Sequence, residues 1–144
     1  MSLNFSLLRA HPAEAEADAL VVALHENGVL SEAAQALDAR SDGRIAALVG
    51  SGDASGKPGR CLMLHGLANV TAPRVLLIGA GDPAKLDAAR YGKLCLDAMR
   101  ALKGTPVRRV LSFLPDLAVA GRDSAWKLRQ AALAADHVGY AYTA

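Results

Sequence analysis

Residues 74–104 change from a continuous apolar pattern to a periodic one, and this change predicts a strand followed by a helix. Residues 75–78 form an uninterrupted aliphatic run, as expected for a strand that is buried on both faces of a largely parallel sheet. After a glycine-rich turn, Asp82 is suited to be the N-cap of a helix and Pro83 its first residue. The pattern predicts a helix over 83–103. Its apolar face recurs at three- and four-residue spacing and consists of Ala84, Ala88, Tyr91, Cys95, Met99 and Leu102.

Further apolar runs predict the rest of a sheet around this unit. Residues 19–24 and 108–114 are predicted, with 74–79, to be interior strands, and 108–114 is the strand to which the helix returns. Residues 60–67 predict a strand joined to 74–79 by a short connection, which favours antiparallel pairing. Residues 3–8 are a shorter strand candidate. The predicted fold is α/β with three α/β/α layers: a central mixed, mainly parallel sheet and helices on both faces.

Three other segments complete the prediction. Ser31 begins a predicted helix that ends near residue 40, and residues 45–49 form a short helix or strand. Residues 50–60 contain four glycines in eleven positions, so we expect this loop to be mobile unless another domain or subunit holds it. Asp123 or Ser124 caps a last helix. Its apolar stripe is Ala125, Leu128, Ala132, Ala135 and Val138.

Composition limits the class of protein. The 144 residues amount to one domain, and with 52% apolar but only 4% aromatic residues the core is mostly Ala, Leu and Val. No apolar run reaches the ~18 residues of a membrane span, and no signal peptide is visible. Cys61 and Cys95 both lie in apolar runs and are predicted to be buried thiols of a reducing compartment. A cytoplasmic location is therefore predicted.

The charge distribution gives only a weak indication of a partner. The net charge is +2; residues 1–50 hold three basic and seven acidic side chains, and residues 51–144 hold thirteen and seven. This asymmetry allows a weakly basic surface, but no basic cluster is denser than Arg108 and Arg109. Charge alone thus favours an ordinary solvated surface over nucleic-acid binding.

No motif in the chain predicts catalysis or metal binding. Residues 79–84 satisfy the dinucleotide pattern G-x-G-x-x-A, but position 101, where an acidic residue would be needed, falls inside the predicted helix. Pro83 also removes an amide that a phosphate would require, so a turn capped by Asp82 is favoured. Residues 50–58 depart from the P-loop pattern, and the histidines and cysteines lack metal-ligand spacing. We predict no catalytic residue and no metal ligand.

Several segments in this order resemble the N-terminal domain of bacterial leucyl aminopeptidases. They are ADALVV, a helix ending at Leu37-Asp38, the loop Gly52-Asp53-x-x-Gly56-Lys57-x-Gly59, the strand RVLLIGAG and the terminal AADHVGYAYTA. The resemblance covers essentially all 144 residues. Ala54 departs from it, because many members carry an aromatic residue after the Gly-Asp pair.

The resemblance implies more than the residues themselves indicate. Such enzymes are cytosolic, remove N-terminal amino acids, preferably leucine, from peptides, and assemble as homohexamers. Their N-terminal domain is similar to a macro domain, and a separate catalytic domain holds two divalent metals (zinc, manganese or magnesium). We therefore expect residues 1–144 to be a single accessory domain that shapes assembly and access to the active site. The catalytic domain is expected beyond Ala144, and the chain alone is expected to be inactive.

Two other functions stay open. The domain could be a macro-type module for nucleotides or ADP-ribose, with glycine-rich segments flanking a crevice at the carboxyl ends of the strands. The residues for this role, or for contact with the catalytic domain, are Gly52, Asp53, Gly56, Lys57, Gly79 and Gly81. Alternatively it could contact DNA, as some bacterial members of the family do. The basic candidates are Lys103, Arg108, Arg109, Arg122, Lys127 and Arg129.

Overall fold

The computed structural model describes residues 11–119, together with 122–123, 125–127, 129–130 and 133. The described strands and helices are β1 Ala19–His25, α1 Glu32–Arg40, α2 Arg44–Ser51, β2 Cys61–His65, β3 Arg74–Gly81, α3 Ala88–Leu102 and β4 Val110–Ser112. The predicted strand 3–8 lies outside the described residues, as does much of the predicted last helix. Within that helix, residues 125–127, 129–130 and 133 are helical, and Asp123 caps it by accepting a hydrogen bond from the Trp126 amide at 2.8 Å.

The described sheet has the strand order β2-β3-β1-β4, which confirms a mixed, mainly parallel arrangement. β1 runs parallel to β3 and to β4, and β2 pairs antiparallel with β3, as its short connection predicted. β1 is buried along its whole length, which is why its sequence is continuously apolar.

The strand predicted over 108–114 is shorter than expected and lies at one end of the described sheet. The amides of Arg108 and Arg109 both bond to Asp18 rather than to a strand, and residues 114–116 form a 3₁₀ turn containing Pro115. The prediction of a strand over 108–114 is therefore confirmed for Val110–Ser112, and its predicted bounds are too wide.

Helices cover both faces of the sheet, as predicted. Alternate side chains of β1 point to opposite sides: Val21 packs with the core beneath α3, and Leu20 and Val22 pack with the core beneath α1 and α2. Tyr91, Cys95 and Met99 are buried on the inner face of α3. The segment over 45–49, left open between helix and strand, belongs to α2.

The predicted start of the long helix is wrong by five residues. Asp82 caps only a 3₁₀ turn at Pro83–Lys85, by accepting a hydrogen bond from the Ala84 amide at 2.9 Å. Leu86 is then extended, and α3 begins at Ala88, where Asp87 accepts from the Arg90 amide at 2.9 Å. Two aspartates suited to capping lie five residues apart, and the second one starts the helix.

Cys61 also differs from its prediction, because it is exposed at the start of the end strand β2, whereas Cys95 is buried as expected. No helix among the described residues is long and apolar enough to cross a membrane.

Candidate functional site

The predicted site lies where the glycine-rich loop crosses the carboxyl ends of β1 and β3. Gly56 packs directly on β1: a Cβ atom there would overlap the carbonyl oxygen of His25 and lie 2.7 Å from the Glu26 nitrogen. Gly79 is equally confined, because a Cβ atom would overlap the Lys57 carbonyl oxygen and lie 2.8 Å from the carbonyl carbon of Gly56. Both glycines are buried, so their lack of a side chain allows three backbone segments to meet.

Backbone hydrogen bonds fasten the same loop to β3. The Gly81 amide donates to the Gly56 carbonyl at 2.8 Å, and the Gly59 amide donates to the Gly79 carbonyl at 3.1 Å. The Gly79 amide donates to the Arg60 carbonyl at 2.8 Å. Residues 56–60 are therefore held in place by backbone hydrogen bonds within this chain. The sequence did not predict these hydrogen bonds.

The predicted crevice is divided in two by this loop. On the α3 side, a cavity of about 540 Å³ is bounded by the end of β3, by Pro58 and Gly59, and by side chains of α3. On the other side, a cavity of about 450 Å³ is bounded by Gly52, Gly56 and Lys57. Glu26 borders both cavities and was missed in the sequence. The six candidate residues thus do not surround one common space.

Four of the six charged side chains that border the larger cavity are engaged with one another or with the backbone. Lys93 and Asp97 form an ion pair at 2.9 Å, one helical turn apart. The Arg90 guanidinium donates to the Lys85 carbonyl at 3.3 Å, and the Asp82 carboxylate is used as a cap. The amides of Gly79 and Gly81, which could otherwise cradle a phosphate, donate to the Arg60 and Gly56 carbonyls.

His25 is the buried polar residue at this end of β1. Its Nδ1 atom lies 3.1 Å from the Gly81 carbonyl oxygen, and the β1–β3 register shifts between Leu24 and His25. The sequence indicated only that His25 lacks the spacing of a metal ligand. Its contact with Gly81 depends on a pairing 56 residues apart, which no local pattern reveals.

Gly52 and Asp53 have local roles at the end of α2. Gly52 ends the helix with φ +86°, a conformation that favours glycine. Asp53 is exposed and accepts a hydrogen bond from the Ser51 hydroxyl at 2.9 Å. Neither residue takes part in the Gly56–Gly79 contact.

The basic candidates have different surroundings. Lys127 is buried and donates to the Leu117 carbonyl at 2.9 Å, so its assignment to a nucleic-acid surface is wrong. Arg108 and Arg109 are exposed, and their amides donate to Asp18, each at 2.8 Å. These two bonds are the main reason that the pKa of Asp18 lies below its ordinary value.

Two further basic candidates border a shallow cavity of about 470 Å³ at the C-terminal end of the described residues. They are Arg122, whose guanidinium lies 4.9 Å from the centroid of the Trp126 ring, and Arg129. Arg122 thus stacks on an aromatic ring.

Within the described residues, no group of three or more His, Cys, Asp and Glu side chains is placed to hold a metal ion. Two of the carboxylates that border the larger cavity are engaged: Asp82 accepts from the Ala84 amide, and Asp97 binds Lys93. Asp87, further along the chain, accepts from the Arg90 amide. This donor set does not fit the pair of divalent metals that the resemblance implies for the full-length enzymes.

Comparison with solved structures defines the class of fold. The macrodomain of Mycobacterium tuberculosis DarG superposes with a TM-score of 0.71 at 14% identity, covering 96% of this chain and 94% of that one. A tomato leucine aminopeptidase mutant gives a TM-score of 0.64 at 22% identity, over 96% of this chain and 27% of that one. The chain therefore has a macrodomain-like α/β fold.

Sequence comparison identifies the family. The profile described as "Cytosol aminopeptidase family, N-terminal domain" matches residues 21–144. A probable cytosol aminopeptidase of Stenotrophomonas maltophilia is 48% identical over all 144 residues, and one of Xylella fastidiosa is 45% identical. The chain belongs to the cytosol aminopeptidase family and corresponds to its N-terminal domain. It spans 29% of the length of these relatives.

Proposed function

We propose that this chain is the accessory, non-catalytic N-terminal domain of a cytoplasmic, metal-dependent leucyl aminopeptidase. The observation that carries the proposal is the family match over residues 21–144, together with full coverage of the chain but only 29% of each relative. In this proposal, a catalytic domain of the same polypeptide removes N-terminal amino acids, preferably leucine, from peptides. The 144 residues form one domain of that polypeptide.

The metals belong to that catalytic domain and not to this one. Two zinc or manganese ions would need several converging carboxylates. In this chain Asp82, Asp87 and Asp97 are already used in caps and an ion pair, which supports leaving the metal chemistry outside these residues.

The role of the domain in this proposal is to shape the assembly, a homohexamer, and to control access of peptides to the active site. The surface near the smaller cavity is the part best suited to contact the catalytic domain or a neighbouring subunit. Gly52, Asp53 and Lys57 are exposed there. Val29, which follows the cavity-lining Gly28, exposes 48% of its surface, which is unusual for a large apolar residue among those that the structure describes.

The test compares the purified chain with a full-length protein that contains it. We expect the chain to release no leucine from a leucyl amide, with or without added zinc or manganese, while the full-length protein does so in the presence of metal. Metal-dependent release by the purified chain alone would contradict the proposal. So would a full-length protein whose activity and sedimentation are unchanged when these 144 residues are removed.

A further inference from the structure

The outer edge of β2 is unusual because nothing in its sequence protects it. β2 is the end strand of the described sheet, and among the described residues no strand pairs with its outer side. Natural edge strands are usually blunted by lysine, proline, a bulge or a covering element, since free backbone groups invite pairing with another chain. Cys61–His65 contains no proline, lysine or acidic residue.

The hydrogen-bond pattern shows which backbone groups face outward. The Gly79 amide bonds the Arg60 carbonyl at 2.8 Å, and the Gly66 amide bonds the Pro73 carbonyl at 3.0 Å, both in the register of the β2–β3 pair. Bonding alternates along an antiparallel strand, so the even-numbered residues of β2 bond to β3. The N–H and C=O groups of Cys61, Met63 and His65 therefore point away from the sheet.

The side chains of β2 have the same pattern in both directions from Met63. Leu62 and Leu64 are half-buried against the core beneath α1 and α2, and Met63 is half-buried against the core beneath α3. Cys61 and His65 are exposed at the two ends. The order of exposed and half-buried side chains is therefore the same when β2 is followed from either end, so two antiparallel copies present matching side chains to each other.

We propose that two copies of this chain associate through the outer edges of β2, antiparallel and centred on Met63. Met63 then exchanges two hydrogen bonds with Met63 of the second copy, and Cys61 does the same with His65 of the second copy at each end. On the other face, Leu62 of each copy lies across from Leu64 of its partner. No charged side chain of β2 meets a like charge, and the two described sheets become one continuous sheet.

The predicted association is weak, because five residues a side form a small interface. We expect a dissociation constant of about 0.01–1 mM. A second copy fits this edge better than an arbitrary extended peptide, because a copy of β2 supplies leucines at both positions that flank Met63 in this register.

Amide hydrogen exchange of the unmodified chain, measured residue by residue at several protein concentrations, tests the proposal directly. The amides of Leu62 and Leu64 bond to β3 and should be protected at every concentration. Those of Met63 and His65 should exchange quickly in dilute solution and become protected in step with dimer formation seen by sedimentation. Protection that does not change with concentration would mean that the chain covers this edge itself and would overturn the proposal. Rapid exchange at all concentrations, or a dimer that protects other amides, would overturn it equally.

Two variants at one position separate the backbone from the side chain. Met63→Pro removes the outward amide without removing a bond to β3, and proline is tolerated on edge strands. It should weaken association by more than tenfold, whereas Met63→Ala retains the amide and should weaken it by less. Circular dichroism verifies that both variants are folded. Equal weakening by both variants would assign the contact to the side chain and contradict backbone pairing; the exchange experiment applies even if the proline variant does not fold.

Discussion

Gly56 and Gly79 lie back to back, so close that a Cβ atom on Gly79 would approach the carbonyl carbon of Gly56 to 2.8 Å and overlap the Lys57 carbonyl oxygen. The neighbouring atoms belong to the backbone, so they cannot move away by a rotamer change as the end of a flexible side chain could. Gly56 is confined from the opposite side by the His25 carbonyl. The loop and the ends of two parallel strands thus form one packed unit, in which glycine is required by space alone.

The first prediction follows from this contact. Gly79→Ala and Gly56→Ala should each lower the free energy of unfolding by about 3 kcal/mol or more, since overpacking against a rigid backbone is among the costly core changes. Gly50→Ala is the matched control, because a Cβ atom there meets nothing within 4 Å and Gly50 lies in α2. It should be neutral or stabilise by up to about 1 kcal/mol. Urea unfolding measures all three, and a Gly79→Ala protein as stable as Gly50→Ala would refute the packing argument.

The second prediction concerns the core beneath α3. Met99 is 2% exposed, so Met99→Ala should cost about 2–5 kcal/mol through lost burial and a remaining cavity. Leu96 on the same helix is only half-buried, and Leu96→Ala should cost less. Chemical unfolding measures the free energy of unfolding of both variants. An equal decrease for the two would contradict the burial of Met99.

The third prediction is a dependence of stability on pH through Asp18. Hydrogen bonds from the Arg109 and Arg108 amides lower the pKa of the Asp18 carboxyl in the folded chain. Because the folded pKa is the lower one, the stabilisation is complete above the ordinary pKa of 3.8 and is lost as the pH falls through the folded value. Asp18→Asn should therefore be less stable at neutral pH, by about 1 kcal/mol, with the deficit shrinking below pH ~4.

The control for that experiment is Glu16→Gln, which alters an exposed carboxylate two residues away. Its free energy of unfolding should follow that of the unmodified chain across the same pH range. A deficit of Asp18→Asn that stays constant down to the acid limit would show that the Asp18 charge contributes nothing at its two amide bonds.

The fourth prediction separates the two thiols. Burial raises the pKa of Cys95 to about 12, and it also raises the pKa of Cys61, together with the nearby Asp97 charge. Since only the thiolate is nucleophilic and Cys61 alone is exposed, a thiol reagent at pH 8 should label Cys61, slowly, and Cys95 only after unfolding. Mass spectrometry of the labelled peptides identifies the site, and rapid labelling of Cys95 in the folded chain would disagree with its burial.

Local patterns in the sequence predicted the parts of this fold that depend on local physics. The aliphatic runs of β1 and β3 are buried strands, as predicted. Ser31 caps α1 as its position predicted, with its hydroxyl accepting from the Ala34 amide at 3.2 Å. The start of α3 was misplaced because Asp82 and Asp87 carry the same local signal.

The candidate site depended on information that a single sequence does not contain. Gly56 and Gly79 were predicted to flank a crevice, but their contact joins segments 23 residues apart, and it divides that space into two cavities. Lys127 was assigned to a basic surface because charge predicts exposure, yet its ammonium group is buried against the Leu117 carbonyl. In both cases the role of the residue depends on tertiary packing, which residue type alone does not predict.

The last prediction concerns nucleotides, and it follows from how the backbone donors at the strand ends are used. A phosphate group needs free amides, but those of Gly79 and Gly81 donate to Arg60 and Gly56. Pro83 has no amide to offer. We therefore expect ADP-ribose, NAD and ATP to leave the thermal stability of the chain unchanged.

A ligand present at 100 times its dissociation constant would add about 2.7 kcal/mol, which corresponds to a rise of roughly 5 °C or more in the melting temperature for a chain of this size. Differential scanning calorimetry with each nucleotide measures this. Arg90→Ala is the informative variant, because Arg90 borders the larger cavity and lies exposed on α3, so its loss should not disturb the fold. A nucleotide-dependent rise that Arg90→Ala abolishes would assign a nucleotide site to that cavity and make the domain a binding module. An unchanged melting temperature agrees with an end of the sheet whose amides are already paired.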